Sequence, residues 1–397
     1  MINLDKSPEQ IELIKALGSR NKVTSAEAKE AFAAALGPIV QQVLQQLGTS
    51  GAVFTDAEFD ADDSPSYPLD LYYDQNEYGY VTTWSQTMAG GLPTSTDIST
   101  VQEMKFDTYN LDTAVSIRKK YARRARLDVV AKFIERMVQE VMIKQETNAW
   151  AVILKAAAEA QTDLTRVLGQ SVGNDTNTTT GSSLRHVIRS TNASTFLLED
   201  MNALMTRLRR INSSWNGGTP SARYSQGLTD LFVSPEVMQD IRAFAYEPMN
   251  TATNARGAAA ADHAGIPLPD NVREEIYNSA GMQSIYNVNL IELNEFGTGQ
   301  KYNKFFDKFA STTSYTDVNG SNGTTFTEAS DQILIGVDNR KQAFIRPIAI
   351  QDENGGQFVT YPDDQFSDRE DMVGFHGSLE EGRVVLDSRA VAGILLG

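Results

Sequence analysis

Hydrophobic residues at helical spacing dominate the start of the chain. The segment "SPEQIELIKALG" has a Ser cap and a Pro at the first helical position, an arrangement that starts many helices. The following "TSAEAKEAFAAALGPIVQQVLQQLG" predicts a second amphipathic helix, bent or broken at Gly37-Pro38 because proline lacks a backbone donor. Residues 51–77 contain Pro65 and Pro68, and we expect them to be extended and irregular.

Alternating residues then predict two strands. In "KFDTYNLDTAVSI" (105–117) one parity is mostly apolar and the other mostly polar, which is typical of a half-buried strand. The segment "YGYVTTWSQTM" (78–88) is rich in aromatic and β-branched residues, and the polar loop "AGGLPTSTDIST" separates the two. We expect a long two-stranded arm that lies on another surface, because an isolated hairpin is only marginally stable.

A long helix is predicted over residues 127–160. This segment, "LDVVAKFIERMVQEVMIKQETNAWAVILKAAAEA", contains neither Gly nor Pro. At about 1.5 Å per residue it would be roughly 50 Å long. Apolar residues recur on one face at spacings of three and four: Leu127, Val130, Ile134, Met137, Val138 and Val141.

The second half of the chain mixes helices and strands. Residues 169–194 are polar and loop-like, and "FLLEDMNALMTRLRRINS" predicts a helix opened by Ser194 or Thr195. In "LTDLFVSPEVMQDIRAF" we expect a buried strand and then a helix capped by Ser234, with Pro235 at its first position. Three further segments predict strands: "QSIYNVNLIELNEFG", "DQILIGVDNRKQAFIRPIAIQ" and "EEGRVVLDSRAVAGILLG".

Charge is distributed unevenly along this acidic chain, whose formal net charge is −16. Between Lys29 and Lys105 there is no Lys, Arg or His, whereas six basic residues fall within Arg118–Arg126. Blocks of like charge form either solvated surface or interaction surface. The basic block has two possible structures. A helix that starts before Arg123 would place positive charge against its own dipole and favour an external anion. Alternatively, Asp128 caps the helix and residues 118–126 form a turn.

Catalytic and metal-binding patterns are missing from the sequence. There is no cysteine, which excludes disulfides and thiolate zinc sites, and His186, His263 and His376 are far apart. No nucleophile elbow, P-loop or dinucleotide fingerprint occurs. The segment "DADD" (60–63) lacks the Gly and terminal Glu of an EF-hand loop. We therefore expect a protein without catalytic residues, cofactors or metals. No apolar run is long enough for a membrane span, and "MINLDKSPEQ" lacks a signal-peptide core.

The order of these segments resembles a known family. An N-terminal arm, an acidic extended stretch, a long hairpin and a long helix, followed by "LFVSPEVMQDI" and a closing "EGRVVLDSRAVAGI", are similar to the tailed-bacteriophage major capsid protein of the Hong Kong ninety-seven type. The resemblance covers nearly the whole chain. It implies an α+β fold with an N-terminal arm (1–66), an extended hairpin loop (67–116), a spine helix and peripheral domain (117–225), an axial domain (226–345) and C-terminal strands returning to the peripheral domain (346–397).

The resemblance implies a structural role and not an enzyme. A major capsid subunit assembles as hexamers and pentamers into an icosahedral head around double-stranded DNA, inside the host cytoplasm, and ends in the virion capsid. Its partners would be its own copies, and also a cement protein, scaffold and portal. Packaged DNA would be contacted weakly at most, since the acidic balance argues against a nucleic-acid binder. The alternatives are an encapsulin-type compartment or an unrelated enzyme or surface-binding protein.

Within such a shell, the acidic and basic blocks are candidates for contacts between neighbouring subunits. A phosphate-binding patch on the inner wall and a scaffold contact are the alternatives for the basic block. Some members of the family crosslink a lysine of the extended loop to an asparagine, but here Tyr67–Met104 contains no lysine, so we expect a non-covalent shell and a retained, structured N-terminal arm. The predicted contact residues are Asp60, Asp62, Asp63, Asp70, Asp74, Tyr78, Tyr80, Trp84, Lys119, Lys120, Arg123, Arg124 and Arg126.

Overall fold

The computed structural model shows two compact units. Unit 1 comprises Met1–Leu69, Gln102–Trp150 and Phe344–Val384, and unit 2 comprises Asp70–Val101, Ala151–Ala343 and Val385–Gly397. The structure describes residues 8–46, 48–60, 62–68, 103–124, 127–159, 186–190, 195–213, 227–243, 284–310, 313–315, 323–339, 343–351, 356–363, 371–386 and 388–397.

Helices and strands both contribute, so the fold class is α+β, as predicted. The helices are α1 Pro8–Leu17, α2 Lys22–Gln46, α3 Lys119–Arg123, α4 Leu127–Glu159, α5 Leu198–Ser213, α6 Pro235–Ala243 and α7 Lys301–Ala310, with short 3₁₀ turns at Ser50–Ala52 and Ser388–Ala390. The strands are β1 Thr55–Asp60, β2 Ser66–Pro68, β3 Glu103–Lys105, β4 Tyr109–Arg118, β5 Val187–Arg189, β6 Asp230–Val233, β7 Ser284–Ile285, β8 Val288–Glu292, β9 Ser314–Tyr315, β10 Thr324–Thr325, β11 Gln332–Val337, β12 Phe344–Ile350, β13 Phe358–Asp363, β14 Met372–Glu381, β15 Val384–Val385 and β16 Val391–Leu396.

Strand β14 is the centre of the main sheet in unit 1. It pairs antiparallel with β4 along its whole length, from Met372 opposite Arg118 to Glu381 opposite Tyr109. Its other edge pairs with β13, and its end meets β12, which in turn pairs in parallel with β1. The small β2–β3 pair is antiparallel.

Helices α1, α2 and α4 share one hydrophobic core with this sheet. The ring of Phe375 lies 5.1 Å from that of Phe32 in α2 and 6.0 Å from that of Phe133 in α4, measured between centroids. Burying side chains of this size contributes about 1.5–3 kcal/mol each. The N-terminal helices are therefore part of the core of unit 1.

Unit 2 has a separate core around a sheet of order β5-β16-β11-β6-β8-β7. Helices α5 and α6 contribute Leu204, Leu208 and Val237 to it, and each of these side chains is fully buried. The β7–β8 hairpin turns through Tyr286 and Asn287, with φ of 51° and 66°. Positive φ at both central residues matches the twist of a two-residue hairpin.

Several predicted elements are confirmed. Helix α1 begins at Pro8, and α4 runs from Leu127 to Glu159. Strand β4 buries alternate residues such as Leu111 and Ile117, as the alternation predicted. Ser234 caps α6, because its Oγ accepts a hydrogen bond from the Val237 N–H at 3.3 Å.

Of the two expectations for Gly37-Pro38, a bend or a break in the helix, the break is wrong. Helix α2 is helical throughout, with Pro38 inside it. Phe32, Leu36 and Val40 are buried on both sides of the proline, and this packing outweighs the lost hydrogen bond. Gly37 is required for close approach, since a Cβ there would lie 3.0 Å from the carbonyl oxygen of Phe358 in β13.

Other expectations were wrong in their boundaries. Residues 51–77 were expected to be irregular, but they include β1, which joins the main sheet of unit 1. Strand β4, one half of the predicted arm, lies in that sheet beside β14. The proposed partner strand 78–88 lies outside the described residues. Residues 169–194 include β5, whose apolar residues are buried beside β16. Helix α5 begins at Leu198, so Leu197 is at the cap position, and Asp200 Oδ2 in the first turn accepts from the Leu197 N–H at 3.0 Å, as the third helical residue of a capping box does.

Candidate assembly surface

The basic block forms a short helix of its own. Helix α3 spans Lys119–Arg123 and ends at Arg124, and α4 begins separately at Leu127. Both alternatives for this block are therefore corrected. The long helix does not extend back through Arg123, and Asp128 is the second residue of α4 instead of the residue before it. We call the described basic residues the basic corner: Arg118, Lys119, Lys120, Arg123 and Arg124.

Arg123 of the basic corner binds its own chain through its guanidinium. Its Nε donates to the carbonyl oxygen of Gly18 at 2.7 Å, and its Nη2 lies 3.3 Å from Asp371 Oδ1. A Cβ on Gly18 would be 2.8 Å from the Arg123 backbone nitrogen, so only glycine fits there. Asp371 also accepts the Lys119 N–H through its carbonyl at 2.8 Å. Arg123 thus ties the end of α1 to α3 and to the start of β14.

Three other members of the basic corner are exposed. Arg118, Lys120 and Arg124 face solvent, and none forms an ion pair with a residue in the described part of the chain. Tyr121, between them, is 43% exposed. Arg126 lies outside the described residues. The exposed face of α3 therefore carries uncompensated positive charge.

The acidic residues of β1 and the turn after it form a second surface, which we call the acidic edge: Asp56, Glu58, Asp60, Asp62 and Asp63. Asp56 pairs with Arg346 Nη1 at 3.4 Å, and Glu58 accepts from Gln357 Nε2 at 2.9 Å.

Asp60, Asp62 and Asp63 are exposed and form no ion pair within the residues described. Asp63 makes only a local contact, accepting the Ser64 N–H at 2.8 Å. The remaining predicted contact residues lie outside the described part: Asp70, Asp74, Tyr78, Tyr80 and Trp84.

The structure keeps the two surfaces apart within one chain. Asp60 pairs with Ile350, close to the end of β14 that carries Glu381, whereas Arg118 pairs with Met372 at the other end. Ile348 of β12 pairs with Glu381, so two residues further along Ile350 lies level with Leu379. Asp60, the partner of Ile350, is therefore about seven residues from Met372 along the strands. At about 3.3 Å per residue this separation is roughly 23 Å along the strands. The acidic edge cannot neutralise the basic corner of its own chain.

A buried cluster of charge lies at the Glu381 end of the sheet. Glu381 is fully buried and accepts hydrogen bonds from Arg346 Nε at 2.9 Å, Gln145 Nε2 at 3.1 Å and Arg383 Nη2 at 3.3 Å. The Tyr109 hydroxyl donates to it at 3.1 Å. These side-chain contacts link α4 to strands β4, β12 and β14.

The surroundings of Glu381 explain two perturbed groups. Burial raises the pKa of Tyr109 to about 12, and the Glu381 charge adds to this effect. Burial also lowers the pKa of Arg383, against the opposing effect of Glu381. The guanidinium of Arg383 lies over the Phe54 ring, 4.9 Å from its centroid. Sequence reasoning missed this cluster, although Glu381 has the same strand parity as the buried Phe375 and Leu379.

Another carboxylate anchors the chain just after α2. Glu146 of α4 accepts from the hydroxyls of Thr49 at 2.8 Å and Ser50 at 2.7 Å, and from the Ser50 N–H at 3.1 Å. The indole N–H of Trp150 donates to the Thr49 hydroxyl at 3.2 Å. This part of the N-terminal region is thereby fixed to the long helix.

Polar side chains in unit 2 also pair with groups of their own unit. Arg189 pairs with Asp331 at 2.5 Å, and Asp230 accepts from the amides of Asn289 at 2.9 Å and Asn339 at 3.0 Å. Buried His186 contacts the Val391 carbonyl through Nδ1 at 2.8 Å. These contacts hold strands and turns in place.

The structure brings no predicted ligand set together. The Nε2 atom of His376 lies 3.8 Å from Oδ1 of Asp112, and His263 lies outside the described residues. Among the described residues no group of three or more His, Asp or Glu side chains could hold a metal ion. In the same part of the chain, no helix combines the length and apolar character that crossing a membrane requires.

Comparison with known proteins finds similarity only at the level of solved structures. No family model matches the chain, and no curated protein does. The capsid of cyanophage P-SCSP1u is 13% identical, with a TM-score of 0.44, over 87% of this chain and 86% of that one. The capsid of an empty GTA particle is 13% identical, with a TM-score of 0.43, over 88% and 91%.

A third similar structure is the holo-SrpI encapsulin complex from Synechococcus elongatus, which is 9% identical, with a TM-score of 0.39, over 86% of this chain and 84% of that one. The first two of these structures are capsids, and the third is an encapsulin complex.

Proposed function

We propose that this chain is a structural shell subunit, the major capsid protein of a tailed bacteriophage. It would assemble as hexamers and pentamers into an icosahedral head enclosing double-stranded DNA. The observation that carries the proposal is the antiparallel β2–β3 pair. It places Pro68 opposite Glu103, so the long insertion 69–102 starts and ends at adjacent positions of unit 1. An insertion held in this way is suited to reach another subunit.

The composition of the insertion supports a role in assembly. It contains Tyr78, Tyr80 and Trp84, which are large apolar side chains, and lacks any lysine or arginine. Aromatic side chains dominate the energetics of protein–protein contacts, whereas lysine is depleted there. We infer that these aromatics are buried against a neighbouring copy.

The long helix supplies a second line of support. Residues up to Trp150 of α4 belong to unit 1, and the residues from Ala151 belong to unit 2. One continuous helix therefore passes from unit 1 into unit 2, in the part of the chain that the resemblance assigns to the spine helix.

The packing of the N-terminal region supports its retention in the mature subunit. Phe32, Leu36 and Val40 of α2 are buried in the core of unit 1, and β1 pairs with β12. Cleavage after residue 60 would remove both from the unit and expose its apolar face. We infer that residues 8–60 stay in the mature subunit and do not serve as a removable scaffold.

Other partners follow from the same proposal. Cement, scaffold and portal proteins would bind the assembled shell, and contact with packaged DNA would be weak because a net charge of −16 opposes a polyanion. The place of action would be the virion capsid, after assembly in the host cytoplasm.

The test is assembly of the purified protein. We expect rings and closed shells in electron micrographs and a high-mass species in light scattering. Nuclease-protected duplex DNA in particles from infected cells would identify a phage head, and a packaged enzyme would identify an encapsulin compartment instead. Monomers at every concentration and salt condition, from a protein shown to be folded by circular dichroism, would contradict a shell function.

A further inference from the structure

Each of the two charged surfaces of unit 1 contains residues that form no ion pair within the described part of the chain. Strand β1 pairs with β12, and no other described strand lies along its second edge. Lys120 of α3 and Arg124, which follows the helix, face solvent. We propose that the exposed face of α3 in one copy docks on the acidic edge of the next copy. This inference rests on the proposed shell function and names the surfaces that join neighbouring subunits.

Charge complementarity indicates that the acidic edge of one copy binds the basic corner of another copy. Asp60, Asp62 and Asp63 are the carboxylates of the acidic edge without an ion pair among the described residues. Arg118, Lys120 and Arg124 are their counterparts in the basic corner. Arg123 is excluded from this contact because its guanidinium already binds Gly18 and Asp371. Three positive groups can therefore meet three negative groups without breaking an internal contact.

The positions of the two surfaces dictate the kind of contact. They lie at opposite ends of one sheet, so each copy binds its neighbour through a different surface from the one that its neighbour uses. Such a heterologous contact closes into a ring when the rotation between copies closes, and otherwise continues as a filament. In the proposed hexamers and pentamers every copy contributes one basic corner and one acidic edge, and the three exposed carboxylates of one copy meet the three exposed cations of the next.

A simpler role for the acidic residues is protection. Charged side chains on an open strand keep it from pairing with other strands. If this were their whole role, removing the charge would cause irregular aggregation, and the basic corner would have no part in assembly. Charge exchange between two variants separates this role from docking.

The experiment uses two full-length variants. One carries Lys120→Glu and Arg124→Glu, and the other carries Asp60→Lys, Asp62→Lys and Asp63→Lys. Each alone presents like charges at the contact, and we expect its critical concentration for assembly to rise about tenfold or more at low salt. The difference should shrink as salt screens the charges. A matched control, Lys132→Glu with Lys144→Glu on the exposed face of α4, should assemble like the unmodified protein.

Mixing the two variants gives the sharpest result. In the mixture every contact between unlike variants is complementary, so assembly should return. Complementary contacts all around a ring require an even number of subunits, so hexameric rings should form and pentameric rings should not. A single chain carrying all five substitutions should regain both, because each copy then matches its neighbour.

Some outcomes would overturn the docking contact and leave the shell function intact. Assembly of both variants at the unmodified concentration would do so, as would a mixture no better than its components. If the basic-corner variant assembled normally but lost binding to a duplex DNA oligonucleotide, α3 would be a phosphate-binding surface. Circular dichroism and thermal melting of each variant show whether the subunits are folded. Failure of the unmodified protein to assemble would instead contradict the shell function itself.

Discussion

The cluster around Glu381 and the basic corner are both charged regions of unit 1, but they satisfy their charges differently. Glu381 is completely buried, and its partners Arg346, Arg383, Gln145 and Tyr109 all belong to its own chain. In the basic corner Arg123 has such partners, whereas Lys120 and Arg124 are exposed and form no ion pair within the described residues. Internal pairing therefore sets the positions of helices and strands, whereas unpaired charge is available to another molecule.

The largest effect should come from removing the charge at the centre of the buried cluster. Glu381→Gln keeps the size of the side chain but leaves Arg346 and Arg383 without their buried counter-ion. Breaking a buried ion pair from one side costs about 3–5 kcal/mol. We expect a loss of this size in the free energy of unfolding, measured by urea denaturation of the subunit.

The adjacent residue provides the control for this measurement. Glu380 is only half-buried and accepts one hydrogen bond, from the Thr108 hydroxyl at 2.6 Å. Glu380→Gln should cost no more than about 1 kcal/mol. Equal losses for the two variants would show that the Glu381 cluster has no special role in holding α4 to the sheet.

A smaller effect should distinguish two neighbouring arginines. Arg123→Ala removes the bond to Gly18 and the ion pair with Asp371, which are partly exposed, so we expect a loss of about 1–2 kcal/mol in unfolding free energy. Arg124→Ala removes no described contact and should change stability by less than about 0.5 kcal/mol.

In assembly the same two variants should show the opposite order, with the larger defect in Arg124→Ala, when both are compared in the folded state. Arg124→Ala should raise the critical concentration although the subunit is as stable as before. Arg123→Ala, compared at a temperature where it is fully folded, should assemble close to normally. If folded Arg124→Ala assembled normally and folded Arg123→Ala did not, the roles assigned to these two residues would be wrong.

The difference between the two regions also explains what could be predicted from sequence. Features that depend on neighbouring residues were predictable: the long apolar stripe of α4, the alternation of β4 and the Ser234-Pro235 start of α6. The Glu381 cluster was not, because its partners come from distant parts of the chain and become neighbours only through strand pairing. The charge of the basic corner is visible in the sequence. The contacts of Arg123 with Gly18 and Asp371 are not, because these residues are far from it along the chain.

The elements that were missed have short or interrupted patterns. Strand β5 has three residues, too few for a period, and it is buried because β16 pairs beside it. Strand β14 contains Gly374 and Gly377, which weaken a strand pattern. A Cβ at Gly377 would clash with the Phe358 ring, so glycine is there to accommodate packing against β13. Helix α7 has a clear buried face, including Tyr302 and Phe306, that the sequence analysis did not identify.

The smallest expected effect concerns covalent bonding between subunits. An amide crosslink needs a lysine amine that can reach a neighbour, and Tyr67–Met104 has none. The next lysine, Lys105, lies in β3 opposite Ser66, at the base of the insertion. Arginine cannot replace it, since the guanidinium stays protonated, and the chain has no cysteine for a disulfide. In the proposed shell, strength would then come from apolar burial, strand pairing and ion pairs. Particles boiled in denaturant should give one band near 43.6 kDa, and Lys105→Arg should leave that gel unchanged. A ladder of covalent oligomers would contradict the non-covalent shell, and a single shorter band would contradict retention of the N-terminal helices.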